Sequence, residues 1–369
     1  MLTSNEIKEI CDIVDNEIKK LGKEAEFYSA STLLNKKDKK GKQPILFIST
    51  NNRSAGKTSY ACMFSYYMKK EFGYETVFLS RKVAELKSYH EIFSDVAQTY
   101  HWKETFTTKQ KVKDTIYEIK IDNETLGYTL CLKKDNDIKK YSPIFSHVEL
   151  CILDEYQEED GKFIKNEPTK LQSILRSIGR GGGNQVRDII TILFGNPVTL
   201  LNPYLIKFNI DKSYSKEKEY IIEKRLVAEF LIQETAADQM EKSALTELFD
   251  DKHSKYSCGK TFLIASEPFI EKCDRKSKYL FTIIYDSTLL GVRQSLKDGS
   301  IHVGKQIDKS CKIILAFRAL DMEQNIQMLA NRDFTWNKIR MSFNNGKLKF
   351  QDTECKYIMF DLMGIDMYN

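Results

Sequence analysis

Residues 45–58 read ILFISTNNRSAGKT, an apolar run that passes through a turn-rich stretch into Gly56-Lys57-Thr58. This segment constrains the fold more than any other, because a strand that empties into a phosphate-cradling loop is a nucleotide site. In such a loop backbone N–H groups wrap the phosphates. The lysine, here Lys57, reaches the β and γ oxygens, and the hydroxyl of Thr58 holds Mg²⁺. The pattern G-x-x-x-x-G-K-[ST] is met with one departure: Asn51 stands where the first glycine is usual. Asparagine is among the few residues besides glycine that tolerate a left-handed backbone. The expected ATP-binding residues are therefore Asn51, Asn52, Arg53, Ser54, Ala55, Gly56, Lys57, Thr58 and Ser59.

A second segment, VELCILDEY at 148–156, is an apolar strand that ends in Asp154-Glu155. In P-loop ATPases the first acid of such a pair orders the Mg²⁺ shell and the second polarises the attacking water. Asp154 is thus expected with Thr58 at the metal, and Glu155 as the catalytic acid. The order of the two motifs and their strand context point to an ATPase.

Between about 44 and 233 strand and helix patterns alternate. Strands are predicted at 44–50, 75–81, 148–153 and 188–195, and helices at 57–72, 83–98 and 169–178. The apolar runs lack polar alternation, as in a parallel sheet covered on both faces. This is an α/β core with right-handed crossovers. Residues 115–132 alternate with period two around Asp122-Asn123, which predicts a hairpin inserted into that core. At the N-terminus, Thr3-x-x-Glu6 is a capping box, and Ile7, Ile10, Val14, Ile18 and Leu21 share one helical face. Residues 234–260 are polar and charged and read as a linker or a small helical connector. From 261 to 369 closely spaced strands follow, with a turn at Lys297-Asp298-Gly299-Ser300 and a short hairpin in NNGKLKF, and these predict a separate sheet-rich domain.

Composition narrows the partners. The chain has 369 residues, 41% hydrophobic, enough for two packed cores. No apolar run approaches the roughly 20 residues of a membrane span, and the N-terminal segment lacks the pattern of a signal peptide. Eight cysteines are scattered singly, which suits reduced thiols in a cytosol, and five histidines are too few to suggest a histidine-based site. Net charge is +5. Lysines cluster at 36–42 and again as Lys133, Lys134, Lys139 and Lys140. Each run reads either as a solvated loop or as a contact to a DNA backbone.

Two further features lie near the nucleotide motifs. LQSILRSIGRGGGNQ at 171–185 ends a helix in glycines. Arg176 and Arg180 are candidates for an arginine finger, a cation that stabilises transition-state charge, and the glycines would let the loop move. A plain glycine helix stop explains the same residues. Strand 188–195 delivers Asn196, placed either to sense the γ-phosphate or simply to turn the chain before Pro197. Arg53 lies inside the phosphate loop, facing either the phosphates or solvent.

The ordered set NNRSAGKTSY, ILDEYQEE, the arginine before the glycine loop and LFGNPVTLLNPY resembles the DNA-packaging ATPases of small protein-primed podoviruses, compact relatives of the large terminase subunit. KSKYLFTIIYDSTLLGV and NNGKLKFQ resemble the C-terminal domain of that family, and IKIDNETLGYTLCL its inserted hairpin. The resemblance runs from about residue 25 to the end. It implies a P-loop ASCE-type ATPase core over residues 1–233, a linker at 234–260, and a smaller α+β RNase H-like domain at 261–369 that has lost nuclease function. It implies a ring, a pentamer in the family, at the portal of an empty prohead in the host cytoplasm, driving double-stranded DNA inward with ATP and Mg²⁺. Some relatives use a scaffold RNA there. Carried over, Lys57 and Thr58 are the phosphate-loop residues, Asp154 and Glu155 the metal and catalytic acids, Arg180 the finger given to the neighbouring subunit, and Asn196 the sensor. Asp286 ends a strand where a terminase nuclease holds a metal acid. One acid does not make a two-metal site, so the second domain is expected to bind nucleic acid without cutting it. The alternatives are a terminase with an active nuclease and a non-motor nucleotide switch.

Overall fold

The structure is a computed structural model that describes residues 2–22, 24, 26–157, 163–180, 186–249, 256–258, 262–263, 268–273, 276–328 and 333–364. The chain divides into two compact units. The first is built from Met1–Glu159, Phe163–Val198 and Lys212–Leu263. To the second belong Thr199–Asp211 and Ile264–Asn369.

The first unit is organised by a nine-stranded sheet: β1 (Leu46–Thr50), β2 (Glu75–Ser80), β3 (Phe106–Val112), β4 (Ile116–Ile121), β5 (Glu124–Cys131), β6 (Val148–Leu153), β7 (Ile190–Gly195), β8 (Tyr220–Glu223) and β9 (Leu226–Phe230). Their order is β3-β4-β5-β2-β6-β7-β1-β9-β8. From β5 to β9 every neighbouring pair is parallel. β2, β6 and β7 are buried at every position, the signature of strands covered on both faces. β7 lies between β1, which leads into the phosphate loop, and β6, which ends at the acid pair.

Helices cover the sheet. α1 (Ser4–Lys20) starts at the predicted capping box, with Thr3 and Glu6 each bonding the other's backbone N–H, and buries Ile7, Ile10, Val14 and Ile18. α2 (Ser31–Leu34) is a single turn before β1. α3 (Lys57–Phe72) follows the loop, buried over most of its length, and α4 (Tyr89–Thr99) follows β2. The predicted helix at 83–98 is in fact a 3₁₀ turn at Val83–Lys87 followed by α4, with Ser88 between them. α5 (Asp135–Ile138) and α6 (Glu167–Ile178) flank β6 in sequence.

The hairpin predicted around Asp122 is present as β4 and β5, both of which belong to the main sheet. β3 and β4 extend the edge antiparallel, while β5 pairs parallel with β2. Gly127 makes that pairing possible, because a Cβ there would stand 2.0 Å from the carbonyl oxygen of Thr76. Past β9, α9 (Glu234–Glu241) and α10 (Ala244–Phe249) occupy the first part of the stretch predicted as a linker or helical connector. α7 (Pro203–Lys207) and α8 (Ile210–Ser213) precede β8 in the chain.

The second unit holds a six-stranded sheet: β10 (Ser277–Tyr285), β11 (Thr288–Ser295), β12 (Ile301–Gly304), β13 (Ile314–Ala316), β14 (Gln327–Met328) and β15 (Leu348–Phe350), in the order β14-β13-β10-β11-β12-β15. β10, β11 and β12 are antiparallel neighbours, and β13 and β14 continue parallel to β10. The turn predicted at 297–300 joins β11 to β12, with Asp298 accepting from Ser300. One face of the sheet packs Ile283, Val292, Val303 and Phe350 with residues of α11 (Asp333–Asn344) and α12 (Thr353–Met363). NNGKLKF is not a hairpin. Gly346, at φ +65°, ends α11, and LKF is a single strand running parallel to β12. Of the strands predicted from 261 onward, the first, TFLIAS at 261–266, lies mostly outside the described residues.

Candidate nucleotide site

The site forms where β1, β6 and β7 end on the same edge of the sheet. β1 stops at Thr50, residues 51–56 loop back, and α3 starts at Lys57. Two residues of the loop adopt left-handed φ: Ser54 (57°) and Gly56 (89°). Gly56 is required twice over, by its φ and by Phe27, whose ring carbon would stand 2.8 Å from an added Cβ. The N–H of Tyr28 donates to Ala55 O at 2.7 Å, so the segment before α2 straps the loop from outside. No side chain caps the N-terminus of α3, which leaves its first N–H groups at the loop.

Lys57 is 8% exposed. Its Nζ donates to Asn51 O (3.2 Å), Asn52 O (2.8 Å) and Asn196 Oδ1 (3.0 Å). Burial pulls its pKa down to about 8, against the opposing pull of Asp154 and Glu155. The hydroxyl of Thr58 donates to Asp154 Oδ2 at 2.6 Å. Burial raises the pKa of Asp154, and the bonds and charges of Thr58 and Lys57 work against that rise. Lys57, Thr58, Asp154 and Asn196 thus converge, although they come from three separate strand ends. A hydroxyl and a carboxylate oxygen side by side are hard donors of the kind Mg²⁺ takes, and a buried amine with uncapped helix N–H groups suits phosphates. The residues present fit both groups.

Glu155 follows with an exposed side chain and a left-handed backbone at φ 57°. Its N–H donates to Asp154 Oδ1 at 3.0 Å. The next residue, Tyr156, bonds across β7 to Phe194 O (2.9 Å), and its hydroxyl meets Thr50 Oγ1 at 2.6 Å. Sequence reading did not single out Arg81, which fixes this turn. Arg81 stands just past β2 and is 5% exposed. It donates to Glu155 O (2.5 Å) and Tyr156 O (2.9 Å), and it forms a two-pronged pair with Glu167 Oε1 (2.6 Å) and Oε2 (2.9 Å). Glu167 is wholly buried at the start of α6. The available signal was an arginine closing an otherwise apolar strand, which burial makes costly unless it is paired.

Arg176 and Arg180 are exposed at the far end of α6. Together with Lys139, Thr169, Gln172, Ser173 and Ser177 they line a cleft of about 230 Å³. Among the described residues no hydrogen bond or ion pair joins either arginine to the phosphate loop or the acid pair. The glycines at 181–183 lie outside the described residues. Lys133, Lys134 and Lys140 are exposed beside this cleft in sequence. The earlier lysine run is largely engaged within the unit: Lys36 stacks on Tyr220, Lys37 donates to Ser4, and Lys39 pairs with Glu223 at 2.7 Å.

In the second unit Asp286 ends β10, as predicted, and a second acid joins it. The N–H of Asp286 donates to Asp321 Oδ2 (3.2 Å), and Arg318 bridges Asp286 (3.1 Å) and Asp321 (2.9 Å). Among the described residues no cluster of three metal-binding side chains occurs.

The model of the podovirus DNA encapsidation protein (Gp16) matches residues 26–366. The chain belongs to that family. Its similarity to individual encapsidation proteins is modest in sequence and extensive in length. It is 24% identical over 301 residues to the DNA packaging protein of Bacillus phage phi29, covering 79% of this chain and 85% of that one. To the DNA packaging protein of Bacillus phage B103 it is 26% identical over 314 residues, covering 81% and 92%. The same fold occurs in the bacteriophage Phi-29 viral genome packaging motor assembly (TM-score 0.65, 21% identity, 92% of this chain and 99% of that one). It also occurs in the Phi-28 gp11 DNA packaging motor (TM-score 0.63, 15% identity, 94% and 99%).

Proposed function

We propose that this encapsidation protein is the ATP-hydrolysing subunit of a ring motor that drives double-stranded DNA into a prohead from its portal vertex in the host cytoplasm. The observation that carries the reading is the convergence of Lys57, Thr58, Asp154 and Asn196 at one sheet edge. In this reading β7, lying between β1 and β6, is the additional strand of the ASCE class, and Glu155 is its glutamate. Lys57 and the N–H groups of 52–59 hold the phosphates, while Thr58 and Asp154 hold Mg²⁺, which screens phosphate charge when bound. Glu155 orients and accepts a proton from water. Catalysis then rests on positioning and charge.

Arg180 is proposed as a finger given to a neighbouring subunit, since it is exposed and, among the described residues, makes no hydrogen bond or ion pair with residues 51–59 of its own chain. If so, Arg180→Ala subunits bind ATP normally, and mixing them with Glu155→Gln subunits restores hydrolysis. No recovery at any ratio would refute the assignment. The family resemblance favours a pentameric ring, and a scaffold RNA at the portal where one is used. Lys133, Lys134, Lys139 and Lys140 are proposed contacts to the DNA backbone.

The second unit is proposed to be RNase H-like and without nuclease activity. Its support is a sheet of three antiparallel strands flanked by two strands parallel to the first, and an arginine lodged between the two acids. A guanidinium there supplies in place the positive charge that a metal would bring. DNA cleavage sensitive to chelators and abolished by Asp286→Ala would overturn this.

A further inference from the structure

The departure at the head of the phosphate loop has structural consequences. Asn51 and Asn52 are 1% and 0% exposed. The Asn51 Oδ1 atom accepts two backbone N–H groups, from Asn52 (2.8 Å) and from Gln233 (3.2 Å). Asn52 Oδ1 accepts the same Gln233 N–H at 2.8 Å. Gln233 is the residue before α9, where the chain leaves β9, and Leu231 N–H donates to Thr50 O at 3.1 Å just before it. Farther along the same connector, Ser257 O accepts from Arg53 N–H at 3.3 Å. The head of the loop is therefore tied to the connector by two backbone hydrogen bonds and two side-chain amides.

The other end of the Asn51 amide differs. Its Nδ2 is buried and has no acceptor among the described residues. Exchanging oxygen and nitrogen does not relieve this, because Nδ2 would then face the N–H groups of Asn52 and Gln233, donor against donor. A buried donor without an acceptor is costly, and it is cheapest where an anion is the ligand. Asn51 also stands at the lysine's working end, since Lys57 Nζ donates to Asn51 O (3.2 Å) and to Asn196 Oδ1 (3.0 Å). In phosphate loops that amine serves the β and γ oxygens.

We propose that Asn51 is a two-ended residue: its Nδ2 donates to a terminal phosphate oxygen of a nucleoside triphosphate, while its Oδ1 holds the connector at Gln233. The amide is planar and rigid, so a pull on one end moves the other. Asn51 favours ATP over ADP and passes the difference to the chain segment that leads toward α9. A glycine would keep the loop's backbone and lose both contacts. The inference rests on the loop's being a nucleoside-triphosphate site.

The test uses full-length protein and two substitutions that separate the ends. Affinities for a non-hydrolysable ATP analogue and for ADP are read by displacement of a fluorescent ADP analogue. Exchange of the Gln233 amide is read by mass spectrometry. Asn51→Gly is expected to weaken the ATP analogue at least tenfold, leave ADP within about twofold, and speed exchange at Gln233 in part, since Asn52 Oδ1 still accepts that N–H. Asn51→Asp keeps the acceptor oxygen and removes the donor. It is expected to weaken the ATP analogue more than ADP while Gln233 stays protected. Unchanged ATP-analogue affinity in Asn51→Gly, or equal loss of both nucleotides, overturns the proposal. Lys57→Ala keeps the two failures apart: if it still binds both nucleotides, the site itself is misassigned.

Discussion

Replacing Arg81 with methionine should damage stability and catalysis by separable routes. The side chain gives two hydrogen bonds to Glu167 and one each to the carbonyls of Glu155 and Tyr156. Glu167 is 0% exposed. Without Arg81 it keeps the N–H of Ile164 but loses its buried counter-charge. Removing one partner of a buried pair costs about 3–5 kcal/mol. For a domain of this size that lowers the unfolding midpoint by roughly 6–20 °C. The catalytic effect has another origin. Glu155 sits at φ 57°, a conformation that costs a non-glycine residue about 1–3 kcal/mol and persists only where its surroundings impose it. The two carbonyl bonds from Arg81 are part of that imposition, so kcat should fall at least tenfold with KM for ATP within about twofold. Adding Glu167→Leu removes the stranded charge. Arg81→Met/Glu167→Leu should then melt near wild type yet hydrolyse ATP as slowly as Arg81→Met. Thermal denaturation followed by circular dichroism and steady-state hydrolysis read the two effects. If the single variant melts within about 2 °C of wild type, or if the double variant recovers kcat, the reasoning fails.

Two pH effects follow from buried groups. Lys57 titrates at about 8 rather than 10.5, chiefly through burial. Its charge is present below pH 8, so ATP affinity should decline by about tenfold per pH unit above it. Folding stability moves the other way, rising between pH 8 and 10.5, where only the unfolded chain keeps the proton. A flat binding profile from pH 7 to 9.5 would contradict this. Glu229, buried on β9 beneath Tyr28 and Ser49, is pushed up to about 7 by burial despite the bonds from those two hydroxyls. The folded protein holds that proton more tightly than the unfolded chain. The associated stability is therefore complete below pH 4.5 and is lost as pH rises to 7, at about 1.4 kcal/mol per pH unit across the window. Denaturant unfolding at several pH values should show this slope in wild type and a flatter line in Glu229→Gln.

The parts of the fold that were legible in sequence are those written in local pattern. The apolar runs of β1, β2, β6 and β7 and the capping box of α1 depend on neighbours within a few residues, and sequence reading placed them to within two residues. The 51–56 loop and the Asp154-Glu155 pair stood out in sequence because a phosphate site and its metal acid demand particular side chains at fixed spacing, and the structure brings Thr58 and Asp154 together. What was hidden depends on distant partners. The 115–132 hairpin joins the main sheet because Gly127 admits Thr76 from a strand far off in sequence. Arg81 and Glu167 are 86 residues apart, and each reads alone as a surface charge. The NNG at 344–346 has the composition of a hairpin turn but ends α11, since the preceding residues keep helical bonds up to Gly346. Asn51 looked like a tolerated substitute for glycine. Its bond to Gln233 spans 182 residues and leaves no trace in local sequence.

Every functional proposal above depends on a DNA-coupled ATPase working at Lys57, Thr58, Asp154 and Glu155. Steady-state ATP hydrolysis by wild type and Glu155→Gln, each with and without double-stranded DNA and proheads, tests it most directly. The expected result is hydrolysis that DNA and proheads stimulate in wild type, and that Glu155→Gln abolishes without loss of ATP binding. Hydrolysis that survives Glu155→Gln, or a wild-type rate indifferent to both DNA and proheads, would contradict it.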